Sequence, residues 1–501
     1  MFENLLTDIS LILPEVIVSV TLLLLVLVDL IFNKDKSIIP FVGLIGLFFA
    51  LYFAINGLNI NSTAFVVSAA NNDYGLLTID SFGSYFKVII LITSILIILF
   101  AKNSLEIKNV SERSGEFYTL IFGMILGMMF MISASDLIMI YLSVELLSLS
   151  SYVLAGFTKL RDRDTEASLK YLVYGAASSG IMLFGISIIY GLTGNTNLFI
   201  INDVFKSTSI NVLAYTFSII LIFTGIGFKI SAVPFHFWTP DVYEGAPISV
   251  TAFLSVASKA AGFALLIRFI KTTFLLKEVS GSWILLEGFD WQSFLIIISI
   301  LTMTLGNFAA LWQDNVKRML AYSSIAHAGY MLLGIAVLSD QGLLAVMIYF
   351  LVYLLMNIGA FYIVMVISNQ INSENLNDYN KLGYASPFLG VSLTVFLISL
   401  TGLPPTAGFI SKLYIFISLI DANMIFVAVI AVLNSVVSLY YYIRILKHMF
   451  INESENEVPQ LKVAANEIVF ILILLVPTLV LGIYFSPLVD FAQNCLAILV
   501  N

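Results

Sequence analysis

A few ionisable side chains of this chain stand in the middle of long apolar runs, and their types are those that carry protons. Lys229 lies in Gly225-Ile226-Gly227-Phe228-Lys229-Ile230-Ser231-Ala232-Val233-Pro234, inside a stretch hydrophobic enough to cross a bilayer. A lysine at the centre of such a helix costs at least about 2.5 to 3.5 kcal/mol, so it faces a protein interior or water and marks an ion path. The plainer alternative is a stem that snorkels to the surface. Lys259 and Lys412 stand equally deep, and Glu145, in Tyr141-Leu142-Ser143-Val144-Glu145-Leu146-Leu147-Ser148, is the carboxylate nearest mid-run. A lone buried carboxylate takes up a proton, whereas an ammonium within about 4 to 6 Å keeps it ionised, which makes Glu145 and Lys229 the natural pair. A protonated glutamic acid bonded to a backbone carbonyl is the other way to hold Glu145. His327, in Ser323-Ser324-Ile325-Ala326-His327-Ala328-Gly329-Tyr330, exchanges a proton near neutral pH and has small neighbours that leave room for water. It reads equally as a satisfied core histidine.

Two proline breaks accompany the lysines. Pro234 follows Lys229 by five residues, and Pro404-Pro405 precede Lys412 in a second apolar run. Proline removes a backbone donor and breaks a helix, which leaves carbonyls in need of partners, and transporters build ion sites beside such breaks. His236 falls near the mouth of the first break and reads as gating or structural, and His448 as a solvated residue. Lys87 and Lys170 lie within about two turns of a run's end, where a long stem reaches the interface.

The composition sets these residues in a membrane. Of 501 residues 60% are hydrophobic and 11% charged, against about 45 to 50% apolar in a soluble domain. The net charge of -8 says little about partners, because acidic loops coexist with a basic inner face. One cysteine, Cys495, excludes an intrachain disulfide and an iron–sulfur ligand set. There is no P-loop and no G-x-G-x-x-G after a strand, so the drive must come from an ion gradient or a partner. The first apolar run lacks the basic flank and small-residue site of a cleavable signal.

Runs long enough for about 30 Å of hydrocarbon recur near 10–32, 38–57, 80–101, 116–134, 136–158, 168–193, 211–238, 247–273, 292–313, 316–338, 342–369, 386–420, 424–448 and 464–487. This predicts an all-α polytopic membrane protein of about fourteen transmembrane helices, with 211–238 and 386–420 discontinuous. With both termini outside, the inner connections carry fourteen lysines and arginines and the outer ones four, Lys206, Arg268, Lys271 and Lys277. The positive-inside rule favours that orientation. Spans four to eight and nine to thirteen each hold five crossings, so the second set runs inverted to the first. The separations agree, 84 residues from Glu145 to Lys229 and 85 from His327 to Lys412. The predicted organisation is therefore an N-terminal three-helix segment (1–115), two inverted five-helix repeats (116–273 and 274–449), each with a discontinuous helix, and a C-terminal helix (450–501). Lys259 would bridge two half-channels.

The motifs Val233-Pro234-Phe235-His236-Phe237-Trp238-Thr239-Pro240-Asp241-Val242-Tyr243-Glu244-Gly245-Ala246-Pro247, Gly402-Leu403-Pro404-Pro405-Thr406-Ala407-Gly408-Phe409 and Leu169-Lys170-Tyr171-Leu172-Val173-Tyr174-Gly175-Ala176 resemble the antiporter-like membrane subunits of respiratory complex I, the proton-translocating NADH-quinone oxidoreductase. The resemblance covers nearly the whole chain. It implies a paired Glu145 and Lys229, a connecting Lys259 and an exit-side Lys412, with His327 in the tenth-span motif. It further implies other membrane and peripheral subunits as partners, sister antiporter-like subunits among them, in the bacterial inner membrane. NAD, FMN, iron–sulfur clusters and quinone would belong to those partners and none to this chain; there is no metal site and no nucleic acid. Quinone reduction elsewhere would drive protons through this subunit. Two other classes fit the same residues: a cation/proton antiporter subunit of the related multisubunit family, and a non-pumping scaffold whose lysines hold helices together.

Overall fold

The computed structural model describes residues 2–32, 36–69, 72–158, 162–208, 211–453 and 459–500. Thirteen of its helices are long and apolar enough to cross a membrane. In chain order the spans are Leu13–Ile31, Ile39–Asn56, Ser81–Asn103, Ser114–Ser133, Leu137–Ala155, Asp162–Thr193, Val212–Ile230, Ile248–Phe274, Trp291–Ala310, Val316–Ala336, Asp340–Ile371, a twelfth described next, Ile425–Phe450 and Ala465–Ile483. The twelfth is two half-helices, Pro387–Thr401 and Ala407–Asp421, which both pack on span eleven and on span fourteen. Against the sequence expectation, the first span is preceded by a separate helix, Phe2–Leu11, and the last is followed by Ser486–Gln493.

Close helix approaches are made at glycines. A side chain at Gly127 would meet the backbone nitrogen of Leu147 at 2.6 Å, which seats span four directly on span five. Gly262 packs in the same way on Ile230 and on the Cβ of Lys229, so span eight lies against the end of span seven. Span eight is wholly buried and contains a π-helical turn, Leu254–Ser258, immediately before Lys259. Such turns recur at functional sites because they shift the register of the side chains that follow.

The connections sort into two faces. On one, Ser135 Oγ and Asn197 Nδ2 donate to Gly75 O, Asn202 Nδ2 to Thr273 O and Leu275 O, and Trp283 N to Leu338 O. On the other, Val316 N donates to Glu374 O, Leu376 N to Asp314 O, and Lys381 N to His448 O. An alternation of this kind is what fourteen crossings require. Two antiparallel hairpins cover the first face, Ser62–Ala69 with Asn72–Ile79 and Leu275–Val279 with Ser282–Leu285. The second turns through Ser280 and Gly281, both at positive φ, the conformation that two-residue hairpin loops favour.

Three lysine and arginine readings change. Lys87 does not snorkel: it is buried against Glu15, 2.6 Å away, with both side chains nearly fully enclosed. Arg268 and Lys271 are not in an outer loop; they lie in the last turns of span eight and are neutralised there. Arg268 pairs with Asp80, and Lys271 with Asp340 and Glu278. Removing both from the outer tally sharpens the charge asymmetry, while Lys34, Lys159 and Arg161 of the inner tally lie outside the described residues. His448 is half-buried and its Nδ1 bonds Asn380 Oδ1 at 2.8 Å, so it is more tied than a solvated residue.

Candidate proton-transfer site

Lys229 is in the last turn of span seven, which ends at Ser231 in the left-handed region (φ 61°, ψ 35°). The break then runs through Pro234 to the helix Trp238–Gly245. Its freed groups find partners: Trp238 Nε1 donates to Phe228 O at 2.9 Å, Val233 N to Thr302 Oγ1 at 3.0 Å, and Thr239 Oγ1 to Ser231 Oγ at 2.9 Å. A positive charge in the last turn also meets the negative end of the helix dipole.

Glu145 and Lys229 are not in direct hydrogen-bond contact. Lys229 Nζ and Glu145 Oε1 are both buried atoms without a hydrogen-bond partner among the described residues. The rings of Tyr152 on span five and Tyr171 on span six stand beside the Lys229 ammonium, each centroid 5.7 Å from Nζ. Glu145 is only half-buried within this chain, since Leu142, Leu146 and Leu149 around it are exposed.

Beyond the first half each deep polar group has hydrogen-bond partners. Lys259, fully buried, donates to Ser324 O at 2.7 Å and to Ser324 Oγ at 3.0 Å. One turn along span ten, His327 Nδ1 bonds the Tyr349 hydroxyl at 2.6 Å and Nε2 the Tyr442 hydroxyl at 3.2 Å. Tyr442 is also bonded to Ser323 Oγ. A further turn on, the ring of Tyr330 lies 4.6 Å from Lys412 Nζ. Lys412 donates to Thr401 O at 2.7 Å and Ser435 Oγ at 2.9 Å, so its ammonium caps the carbonyl end of the first half of the broken twelfth span. Pro404 and Pro405 lie in that break, where Gly402 takes φ 86° and leaves passage for the lysine stem; a Cβ there would come within 2.6 Å of Lys412 Cδ.

Positions 324, 327 and 330 advance about 4.5 Å per step along one side of a helix. Span ten thus presents at successive turns the partner of Lys259, His327 itself and the ring at Lys412. Lys229 approaches span eight at Gly262, one turn beyond Lys259. Tyr330, Tyr349 and Tyr442, with Ser323 and Ser324, were not singled out from the sequence; for Ser323, Ser324 and Tyr330 the one signal is hydroxyl-bearing residues at three- and four-residue spacing around His327, and Tyr349 and Tyr442 carry none. His236 is buried beside the first break, its ring against Phe237. Lys170 bonds Asp241 at 2.6 Å and Glu166 at 2.7 Å, near the face its position suggested.

Broken membrane helices with buried ammonium groups beside each break define a class of ion-translocating membrane subunit. Residues 134–438 match the NADH:quinone oxidoreductase/Mrp antiporter transmembrane family, and the chain belongs to that family. Within it, the chain is 45% identical over 98% of its length, and 95% of the relative's, to NADH-quinone oxidoreductase subunit N 2 of Chloroherpeton thalassium. A chain of respiratory complex I from Thermus thermophilus superposes with a TM-score of 0.77 at 29% identity, covering 96% of this chain and 99% of that one. A chain of the Mrp complex from Dietzia has the same fold, with a TM-score of 0.80 at 20% identity over 97% of this chain and 96% of that one.

Proposed function

We propose that this chain is the subunit N of a proton-translocating NADH-quinone oxidoreductase and that it carries protons through Glu145, Lys229, Lys259, His327 and Lys412. One observation supports the reading: three successive polar contacts line one side of span ten, Lys259 on Ser324, His327 between the Tyr349 and Tyr442 hydroxyls, and the Tyr330 ring at Lys412. In this reading Lys229 bears a proton while Glu145 is ionised within reach of its field. Charge moved by a neighbouring subunit loosens that hold, and the proton passes to Lys259. Lys259 hands it to the Ser324 hydroxyl, the tyrosine-bound imidazole of His327 relays it, and Lys412 releases it on the outer face. The broken helices supply dipole ends and unpaired backbone for a water wire.

The subunit sits in the bacterial inner membrane with both described ends on the outer side, an orientation that the burial of Arg268 and Lys271 favours. NAD, FMN, iron–sulfur clusters and quinone are assigned to partner subunits. The repeat division 116–273 and 274–449 is supported by a 32-residue third helix and a break in its neighbour in each set, Asp162–Thr193 and Asp340–Ile371. Lys229→Ala tests the reading in inverted membrane vesicles: NADH-driven proton uptake is abolished while the complex still assembles. Unchanged proton stoichiometry would sink the role of Lys229. Sodium-dependent proton uptake in vesicles without NADH dehydrogenase activity would favour an antiporter subunit instead.

A further inference from the structure

Lys229 differs from the other two deep lysines in what surrounds it. Lys259 and Lys412 each donate to a carbonyl and a hydroxyl, whereas Lys229 Nζ has no hydrogen-bond partner among the described residues and stands over three rings. The centroids of Phe228, Tyr152 and Tyr171 lie 5.5, 5.7 and 5.7 Å from Nζ. All three are within the roughly 6 Å over which a ring's negative face attracts an ammonium, an attraction that grows when water is excluded.

The rings are held for this. Tyr171 is fully buried and its ring stacks on Trp238 at 4.4 Å, in nearly parallel planes. Trp238 is itself fixed by its bond to Phe228 O. Tyr152 meets Tyr171 edge to face at 4.8 Å, and its hydroxyl occupies the space a side chain at Gly175 would need. The motif tryptophan of the first break thereby positions the ring that faces the lysine.

The geometry points to an aromatic cage of Tyr152, Tyr171 and Phe228 that seats the Lys229 ammonium without a contacting counter-ion, as a positioning device for the proton on that lysine. It rests on the proposed role of Lys229 as a proton carrier. A cage has a use that a contact ion pair lacks. It favours the charged lysine by a modest, fixed amount and leaves the ammonium open to the field of charge moved near it. The titratable groups facing Lys229 are Glu145 and Tyr152 from span five and Tyr171 from span six, while Lys259 on span eight is turned to Ser324. Lys170, next to Tyr171, is turned away to Asp241 and Glu166.

Fluorination weakens a ring's negative face and hardly alters its shape, so it tests the cage without repacking it. Phenylalanine and its mono-, tri- and pentafluoro forms would be placed at 152, and separately at 171, in the assembled complex. The readout is NADH-driven proton uptake in inverted vesicles as a function of pH. Weakening the cage disfavours the ammonium, so the alkaline half-point of pumping moves toward acid with each fluorine. The full series spans about half to one pH unit per ring. Tyr152→Leu and Tyr171→Leu move it the same way. A half-point that is unmoved, or moves toward alkali, across the fluorinated series overturns the cage. If Lys229→Ala membranes pump normally, the carrier role of Lys229 fails first; if they do not pump and the series is flat, only the cage fails.

Discussion

At the scale of single residues, His327 is where the polar line is most exposed to a small change. A neutral imidazole has one donor and one acceptor nitrogen, so Tyr349 and Tyr442 must play opposite roles, and a charged imidazole donates to both. Taking up a proton therefore reverses one tyrosine hydroxyl, and Tyr442 has Ser323 Oγ as its second partner for that turn. Tyr349→Phe keeps the ring and removes the 2.6 Å bond to Nδ1, leaving a buried nitrogen unsatisfied at a cost of about 1 to 3 kcal/mol. The expected outcome is assembly close to normal with proton flux per complex reduced several-fold, compared by dye quenching against the amount of intact complex. Flux per complex equal to wild type would remove Tyr349 from the relay. The identities of the deep residues were legible because an ionisable side chain in an apolar run has few inexpensive explanations. Their partners were not: Tyr349 and Tyr442 lie 22 and 115 residues from His327, and a tyrosine in a helix looks the same whether its hydroxyl is used or idle.

At the scale of elements, both breaks were legible from proline, and their stabilisation was not. The first is closed by an indole N–H on a freed carbonyl, the second by Lys412 itself and by Gly408, where a Cβ would meet Ser399 O at 1.8 Å. The hairpins were missed because a short amphipathic pair between apolar helices carries little period-2 signal. They matter because the first leads into Asp80, the N-cap of span three and the centre of a clasp. Arg268 reaches Asp80 through two bonds of 2.7 and 2.8 Å, Gly83 N donates at 2.7 Å, and Leu499 N from the far end of the chain at 3.1 Å. Burial works against the charge on Asp80, but the Arg268 guanidinium, with these amides, outweighs it and holds the carboxyl below the ordinary carboxylate range. A carboxylate depressed in the folded state contributes stability above its unfolded pKa and loses it as pH falls through the folded value. The clasp is thus expected to persist through mildly acid pH and to open only below the usual carboxylate range, with rising amide exchange over 494–500 as the sign. Asp80→Asn leaves Arg268 buried and unpaired, which costs about 3 to 5 kcal/mol and frees the same segment at neutral pH. Exchange unchanged by the substitution would show that the clasp does not hold the segment.

At the scale of the whole molecule, the question is whether the deep residues form one conduit or two separate sites. Span ten places the partners of Lys259, His327 itself and the ring at Lys412 at successive turns, whereas Glu145 and Lys229 lie on spans five and seven, where Lys229 approaches span eight at Gly262. The fourteen crossings and their two faces were legible from run length alone, since no shorter argument than hydrocarbon thickness is needed. Connectivity between the two clusters was not, because it depends on side-chain directions after the π-helical turn at Leu254–Ser258, which has no mark in the sequence. Residues that act in series on one proton are not additive: once a step is blocked, a second block has nothing left to stop. Distant sites that each move their own proton would add, within about 0.3 to 0.5 kcal/mol. Lys229→Ala, Lys412→Ala and the double variant decide between these in NADH-driven vesicles at matched complex content. One conduit predicts that the double variant pumps no less than the worse single. Two independent sites predict that each single variant keeps part of the stoichiometry and that the losses sum, and that result would divide the line at the Gly262 contact, with Lys259 belonging to the Lys412 side.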